Sequence, residues 1–136
     1  MKYFRHRPFC EDAFNIHTIQ FPPNIQAFHY HPELVGVDLK DEDVDDFLTF
    51  QHPQCEVTQQ TFEEVEPELK ACRFYHDINE IVKTLIKNRY SVEDEIRMLK
   101  LDRSDPEYVA YDEYVEDCRA LGSNMKIERG LKCIAE

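Results

Sequence analysis

The spacing of apolar residues changes character part-way along the chain. Up to Phe62 they fall in short runs cut by proline, whereas from Tyr75 onward they recur at a helical period. Asn15–Phe21 is rich in β-branched and aromatic residues, Ile25–Tyr30 follows it, and Leu34–Leu39 places Val35, Val37 and Leu39 on one side by alternation. Such runs predict strands, and Cys55–Phe62 predicts a fourth. Pro8, Pro22, Pro23, Pro32 and Pro53 interrupt them. Proline cannot donate to a strand ladder, so edge strands or extended arms are expected here more than a central sheet. Asp41–Phe50 reads as a short helix, with Val44, Phe47 and Leu48 on one face and acids in the first turn, where the helix dipole favours them. Thr61 and Glu64 have capping-box spacing, but Pro67 would lie deep inside the helix they open. Glu63–Glu68 is therefore expected to be a linker or a broken turn.

In the second half Ile78, Ile81, Val82, Leu85 and Ile86 follow the i, i+3, i+4, i+7, i+8 pattern of an amphipathic helix. Val92, Ile96 and Leu99 do the same over a shorter segment. A third helix is expected over 105–121, with Tyr108, Tyr111, Val115 and Cys118 as its stripe, Tyr114 and Leu121 beside it, and Gly122 as its stop. Three polar residues (Asp77, Ser91 and Ser104) each stand three positions before an acid, which predicts helix starts at each. Residues 123–136 carry Lys126, Arg129 and Lys132 with Met125, Ile127, Leu131 and Ile134 interspersed, and read as a docking segment or a frayed end. The pattern as a whole predicts an α+β fold. Short strands and extended loops in the N-terminal half would pack on a C-terminal bundle of three to four short helices. The expected organisation is a single domain with a strand- and loop-rich half (1–70), a helical half (71–122) and a tail (123–136).

Composition narrows the function classes. A chain of 136 residues with 42% hydrophobic residues is enough for one core. Three glycines argue against a phosphate-cradling loop. The net charge is −12, and it is unevenly placed: 5 basic and 14 acidic residues up to Lys70, against 11 basic and 14 acidic beyond it. Such a field repels nucleic acid and anionic lipid and favours solubility or a basic partner surface, although a merely solvated acidic face is the commoner case. The five cysteines are widely spaced and no apolar segment follows Met1–Arg7, so reduced thiols and no signal peptide are expected. No apolar run approaches the ~20 residues of a membrane helix. Eight of the nine phenylalanines fall in the first half and need cover, from the helices or from another chain.

Chemistry-bearing motifs are few. His29-Tyr30-His31 is an H-x-H pair, which on a regular strand shares a face, and His52 with Cys55 adds an H-x-x-C spacing. Four such ligands suit tetrahedral zinc, yet surface or stacked histidines are the more frequent outcome of such spacing. The run Asp41, Asp43, Asp45 fails as a calcium loop, with Asp46 where glycine is needed and His52 where glutamate is needed. No nucleophile elbow, Walker loop or dinucleotide fingerprint is present. No cofactor, metal or catalytic residue is therefore assigned, and no enzymatic activity is expected. The candidate partner interface comprises Phe21, Phe28, Tyr30, Phe47, Phe50, Tyr108, Tyr111 and Tyr114.

The segments Asn88–Ile96, Asp105–Tyr108 and Tyr111–Arg119 resemble a helical stretch recurring in small bacteriophage tail-region proteins. Those proteins carry an R-Y-S/P-x-x-D/E-E helix start followed by a Y-x-x-Y/F-V-x-x-C-R/K helix. The resemblance covers about residues 76–128. It implies a phage structural, tail-assembly or virion-accessory protein acting through other protein chains or itself, in the virion or the infected cell, and it carries over no catalytic residues. A phage-encoded inhibitor of host defence, blocking a basic site or sequestering a small ligand, is the alternative. A metal-dependent enzyme built on His29, His31, His52 and Cys55 is the third.

Overall fold

The computed structural model describes residues 1–133 and has an α+β architecture. It contains strands β1 (Lys2–Arg5), β2 (Phe9–Cys10), β3 (Ile16–His17), β4 (Ala27–His31), β5 (Leu34–Val37) and β6 (Thr58–Gln60). The helices are α1 (Val44–Phe50), α2 (Phe62–Ala71), α3 (Arg73–Arg89), α4 (Val92–Leu99) and α5 (Pro106–Glu128). The chain forms two compact units, Met1–Cys72 and Arg73–Glu136. No described helix is long and apolar enough to cross a membrane.

The first unit is built on an antiparallel sheet of order β4-β5-β1-β6, with a separate β2–β3 hairpin. This corrects the expectation of edge strands and arms. None of the four sheet strands contains proline; Pro8, Pro22, Pro23, Pro32 and Pro53 all lie in the connections. The stretch Asn15–Phe21 shrinks accordingly to the two residues of β3. β1 sits inside the sheet, with Phe4 opposite Val35 on one side and Gln59 on the other. All four residues of β5 are buried, because both faces of the sheet are covered. On one face Phe4, Val35, Val37 and Leu39 cluster with Ile19, Val44 and Phe47. On the other, Tyr3 lies between Tyr30 and the Phe62 ring of α2, at 6.3 and 5.9 Å.

α2 replaces the expected linker at Glu63–Glu68. Thr61 and Glu64 form the complete capping box, and Val65 and Leu69 are fully buried. Pro67 gives up one bond to the Glu63 carbonyl, but both residues are exposed, so the loss falls on the solvent side of the helix. Arg5 extends from β1 to bond Gln60 at 2.9 Å and Glu68 at 2.6 Å, joining the last strand to α2.

In the second unit, α3 and α5 pack along their length. Three helix ends differ from expectation. α3 starts at Arg73, so Asp77 is an interior residue whose carboxylate faces Arg73 rather than a helix cap. Asp105, not Ser104, caps α5 by accepting from the Glu107 N–H at 2.9 Å; the Ser104 N–H and hydroxyl both donate to Asp102. Ser91 caps α4 through a full capping box with Asp94. The largest difference is Gly122, which does not stop α5. The helix runs on to Glu128, absorbing the first six residues of the expected tail; Ile134 lies outside the described residues. Gly122 is buried against α3, and a Cβ placed on it would stand 2.5 Å from Val82 Cγ2. The glycine thus marks a close helix crossing, where a β-branched neighbour with one favoured helical rotamer cannot swing away. Gly122→Ala is expected to lower stability by about 1–2 kcal/mol despite alanine's better helix propensity, measured by chemical denaturation, with Val82→Ala in the same chain restoring part of the loss.

The short stripe of α4 is present but not buried. Val92, Ile96 and Leu99 are exposed, while Met98 is buried, as are Ile78, Val115, Cys118 and Leu131.

Candidate functional site

The first unit contains an apolar pocket of about 500 Å³. Its construction starts in α1. Asp43, Asp46, Phe47 and Phe50 are spaced i, i+3, i+4, i+7, so the helix presents two carboxylates and two phenyl rings on one side. Phe47 is the floor: it is 3% exposed, its ring lies 4.7 Å from Phe4 and 6.4 Å from Phe21. Phe50 is the rim and is 72% exposed. The opposite wall is Phe21, Pro22, Pro23 and Ile25, with Leu39 closing the base.

That opposite wall is a loop, and it is held to α1 by one side chain. Gln51 is buried at the end of the helix. Its amide oxygen accepts from the Gln20 N–H at 2.8 Å, and its amide nitrogen donates to the Gln20 carbonyl at 2.8 Å and to the Phe47 carbonyl at 3.1 Å. The pair of bonds to Gln20 fixes the backbone just before Phe21, and two prolines then stiffen the wall. The pocket is thus preformed, of ligand-binding size, and lined by apolar surface with two exposed carboxylates and no cation. Its lining holds no thiol, imidazole or hydroxyl, so it offers recognition of an apolar group with a positively charged neighbour.

The eight candidate interface residues fall in three places. Phe21, Phe47 and Phe50 meet in this pocket. Phe28 and Tyr30 lie on β4; Tyr30 is buried over Gly36 and beside Tyr3, where burial pushes its phenol pKa up. Tyr108, Tyr111 and Tyr114 belong to the helical unit. There Tyr111 stacks with Tyr90 at 5.0 Å and donates to Glu95 of α4, while Tyr114 donates to the Leu85 carbonyl of α3 at 2.7 Å. Burial, then the bond to Glu95, raises the Tyr111 phenol. Tyr111 and Tyr114 thus bond or stack onto α3, α4 and Tyr90, whereas Tyr108 accepts from Arg103 at 2.9 Å and stacks on Tyr111.

The four residues of the zinc reading are dispersed. A register shift separates His29 from His31: His29 packs edge-on against Phe21, while His31 bonds Glu68 of α2 at 2.6 Å. That bond, ahead of the Arg5 contact, holds the Glu68 carboxyl below its usual range. His52 stacks on His17 at 4.1 Å with Phe9 alongside, and Cys55 is fully buried. Among the described residues no three side chains of His, Cys, Asp or Glu are grouped as metal ligands. His6, which no motif marked, is buried with neither ring nitrogen bonded; burial first, then His29, pushes its pKa down.

The chain matches no protein-family model, no curated protein and no solved structure.

Proposed function

We propose that this is a non-enzymatic binding protein acting through protein–protein contacts, and that the pocket between Phe21 and Phe50 receives an apolar side chain from a basic segment of its partner. The observation that carries this reading is Phe50, a largely exposed aromatic ring on the rim of a preformed apolar pocket whose only charges are Asp43 and Asp46. A buried aromatic or aliphatic anchor ringed by complementary charge is the common core of a protein interface. Taken with the likeness of residues 76–128 to phage tail-region segments, it favours a structural, tail-assembly or virion-accessory protein of a bacteriophage, working in the virion or the infected cell.

Sequestration of a small ligand is the second reading, and the pocket volume supports it. The carboxylates favour a hydrophobic amine and disfavour an anionic nucleotide signal.

The test is a titration with two short peptides of equal apolar content, one flanked by lysines and one by glutamates. The lysine peptide is expected to bind and the glutamate peptide not to. Phe50→Ser is expected to weaken binding about tenfold, and Asp43→Asn with Asp46→Asn to weaken it most at low salt. Equal binding of both peptides, or of neither, would refute the pocket as the partner site. Light scattering at low and high salt completes the test: a defined oligomer stable in high salt, dissociated by Phe50→Ser, makes the partner a second copy.

A further inference from the structure

The helical unit contains a second concavity, opposite in polarity to the first. Because α5 continues past Gly122, Arg119, Ser123 and Lys126 come at i, i+4 and i+7 on one side of it. Beyond the helix the chain turns back at Gly130, which has a positive φ of 70° that glycine adopts without strain. Lys132 is thereby returned to α5, where its ammonium donates to Ser123 Oγ at 2.6 Å. Asn79 contributes from α3, and the open concavity has a volume of about 390 Å³.

The charge content of this concavity runs against the rest of the molecule. The chain has a net charge of −12, yet the lining gathers three cations against one carboxylate. That carboxylate, Glu116, bonds a single guanidinium nitrogen of Arg119 at 2.9 Å, leaving the other N–H groups for another acceptor. Among the described residues no carboxylate pairs with Lys126 or Lys132. The Lys126 ammonium is instead placed over the Tyr75 ring, at 4.0 Å from its centre, a contact that holds the charge without neutralising it. Three like charges around one small volume repel each other, and a bound anion turns that repulsion into attraction. With 14 acids in the same half of the sequence, cations left without carboxylates are not explained by a shortage of partners.

We propose that this pocket binds a phosphate group, free or as the monoester of a small molecule. The donors come from several directions: a guanidinium, two ammoniums, a hydroxyl and an amide. A tetrahedral dianion uses such a set, whereas a planar carboxylate is satisfied by the fork of one arginine. An extended polyanion fits poorly, because beyond this one concavity it meets the repulsion of the acidic surface.

The experiment is a titration of the full chain with inorganic phosphate at constant ionic strength, followed by the backbone amide shifts of residues 119–132, with glycerol phosphate and acetate as parallel probes. Phosphate or glycerol phosphate is expected to produce saturable shifts confined to this segment and to Asn79, with acetate at least about tenfold weaker. Tighter binding of glycerol phosphate than of phosphate assigns the site to an ester; the reverse order assigns it to the free ion. Lys126→Met and Lys132→Met are each expected to weaken binding about tenfold, and Ser123→Ala less, with the thermal midpoint in chloride unchanged. Phosphate and acetate shifts of equal size, or shifts that the lysine variants leave intact, would overturn the proposal. So would a single-stranded oligonucleotide that binds the same residues far more tightly than glycerol phosphate, since it would make the site a polyanion surface.

Discussion

Gly36→Ala is expected to destabilise the first unit by about 3 kcal/mol, at the upper end of what overpacking usually does. Gly36 lies within β5, in the middle of the sheet, and its missing side chain is the space occupied by Tyr30. A Cβ there would stand 2.3 Å from Tyr30 Oη and 2.9 Å from two of its ring carbons. The ring cannot retreat, because Tyr30 is itself 6% exposed and packed against Tyr3. The rigid contact outweighs the few tenths of a kcal/mol to 1 kcal/mol that alanine gains by restricting the unfolded chain. Chemical denaturation measures the effect. Tyr30→Phe in the same chain removes the closest atom and is expected to return part of the loss; an unchanged midpoint in Gly36→Ala alone would show that the ring does not cover this position.

Gln51→Ala is expected to cost about 2–4 kcal/mol and to open the apolar pocket. The substitution removes the 2.8 Å partners of the Gln20 N–H and carbonyl and leaves the buried Phe47 carbonyl without the Gln51 amide. The two effects separate experimentally. The denaturation midpoint reports the stability loss. Hydrogen exchange at the Gln20 amide reports the release of the Phe21-Pro22-Pro23 wall, and is expected to accelerate by more than the global loss accounts for. Retention of slow exchange at Gln20 would mean that the wall is held by something other than Gln51.

What the sequence disclosed, and what it hid, follows from the range of each interaction. The helices of the second half were legible because their signals are local: the stripe through Ile78 and the Ser91–Asp94 box act within a few residues. The face of α1 was legible for the same reason. β1 was not, since Lys2–Arg5 alternates too briefly to stand out, and what makes it a central strand is pairing with β5 and β6. Pro67 and Gly122 each have a usual local meaning, a breaker and a stop, that the structure does not follow. Tertiary structure overrode both: a strong cap and two buried side chains carry α2 through Pro67, and the close approach of Val82 uses Gly122 as a contact. The three phenylalanines of the pocket were visible as residues but not as a site. Their meeting depends on Gln20 and Gln51, 31 positions apart, and neither residue type announces such a bond. The basic pocket was hidden by the Gly122 reading itself, which turned Ser123, Lys126 and Lys132 into a tail.

The placement of β1 also bears on how the protein reaches this structure. The strand is hydrogen-bonded on both sides, and its side chains reach as far as Glu68, 63 positions along the chain. The β4–β5 hairpin, closed by the short turn at Pro32-Glu33, needs no such span. On contact order the β4–β5 hairpin is expected to form before β1 is paired, so that Tyr3 and Phe4 enter late between two partners that follow them in the chain. Until that insertion is complete, β5 and β6 each present an unpaired edge, and Tyr3 and Phe4 remain in water. The period of greatest vulnerability to aggregation is thus set by the first strand, and it ends only when α2 follows β6 and lays Phe62 against Tyr3.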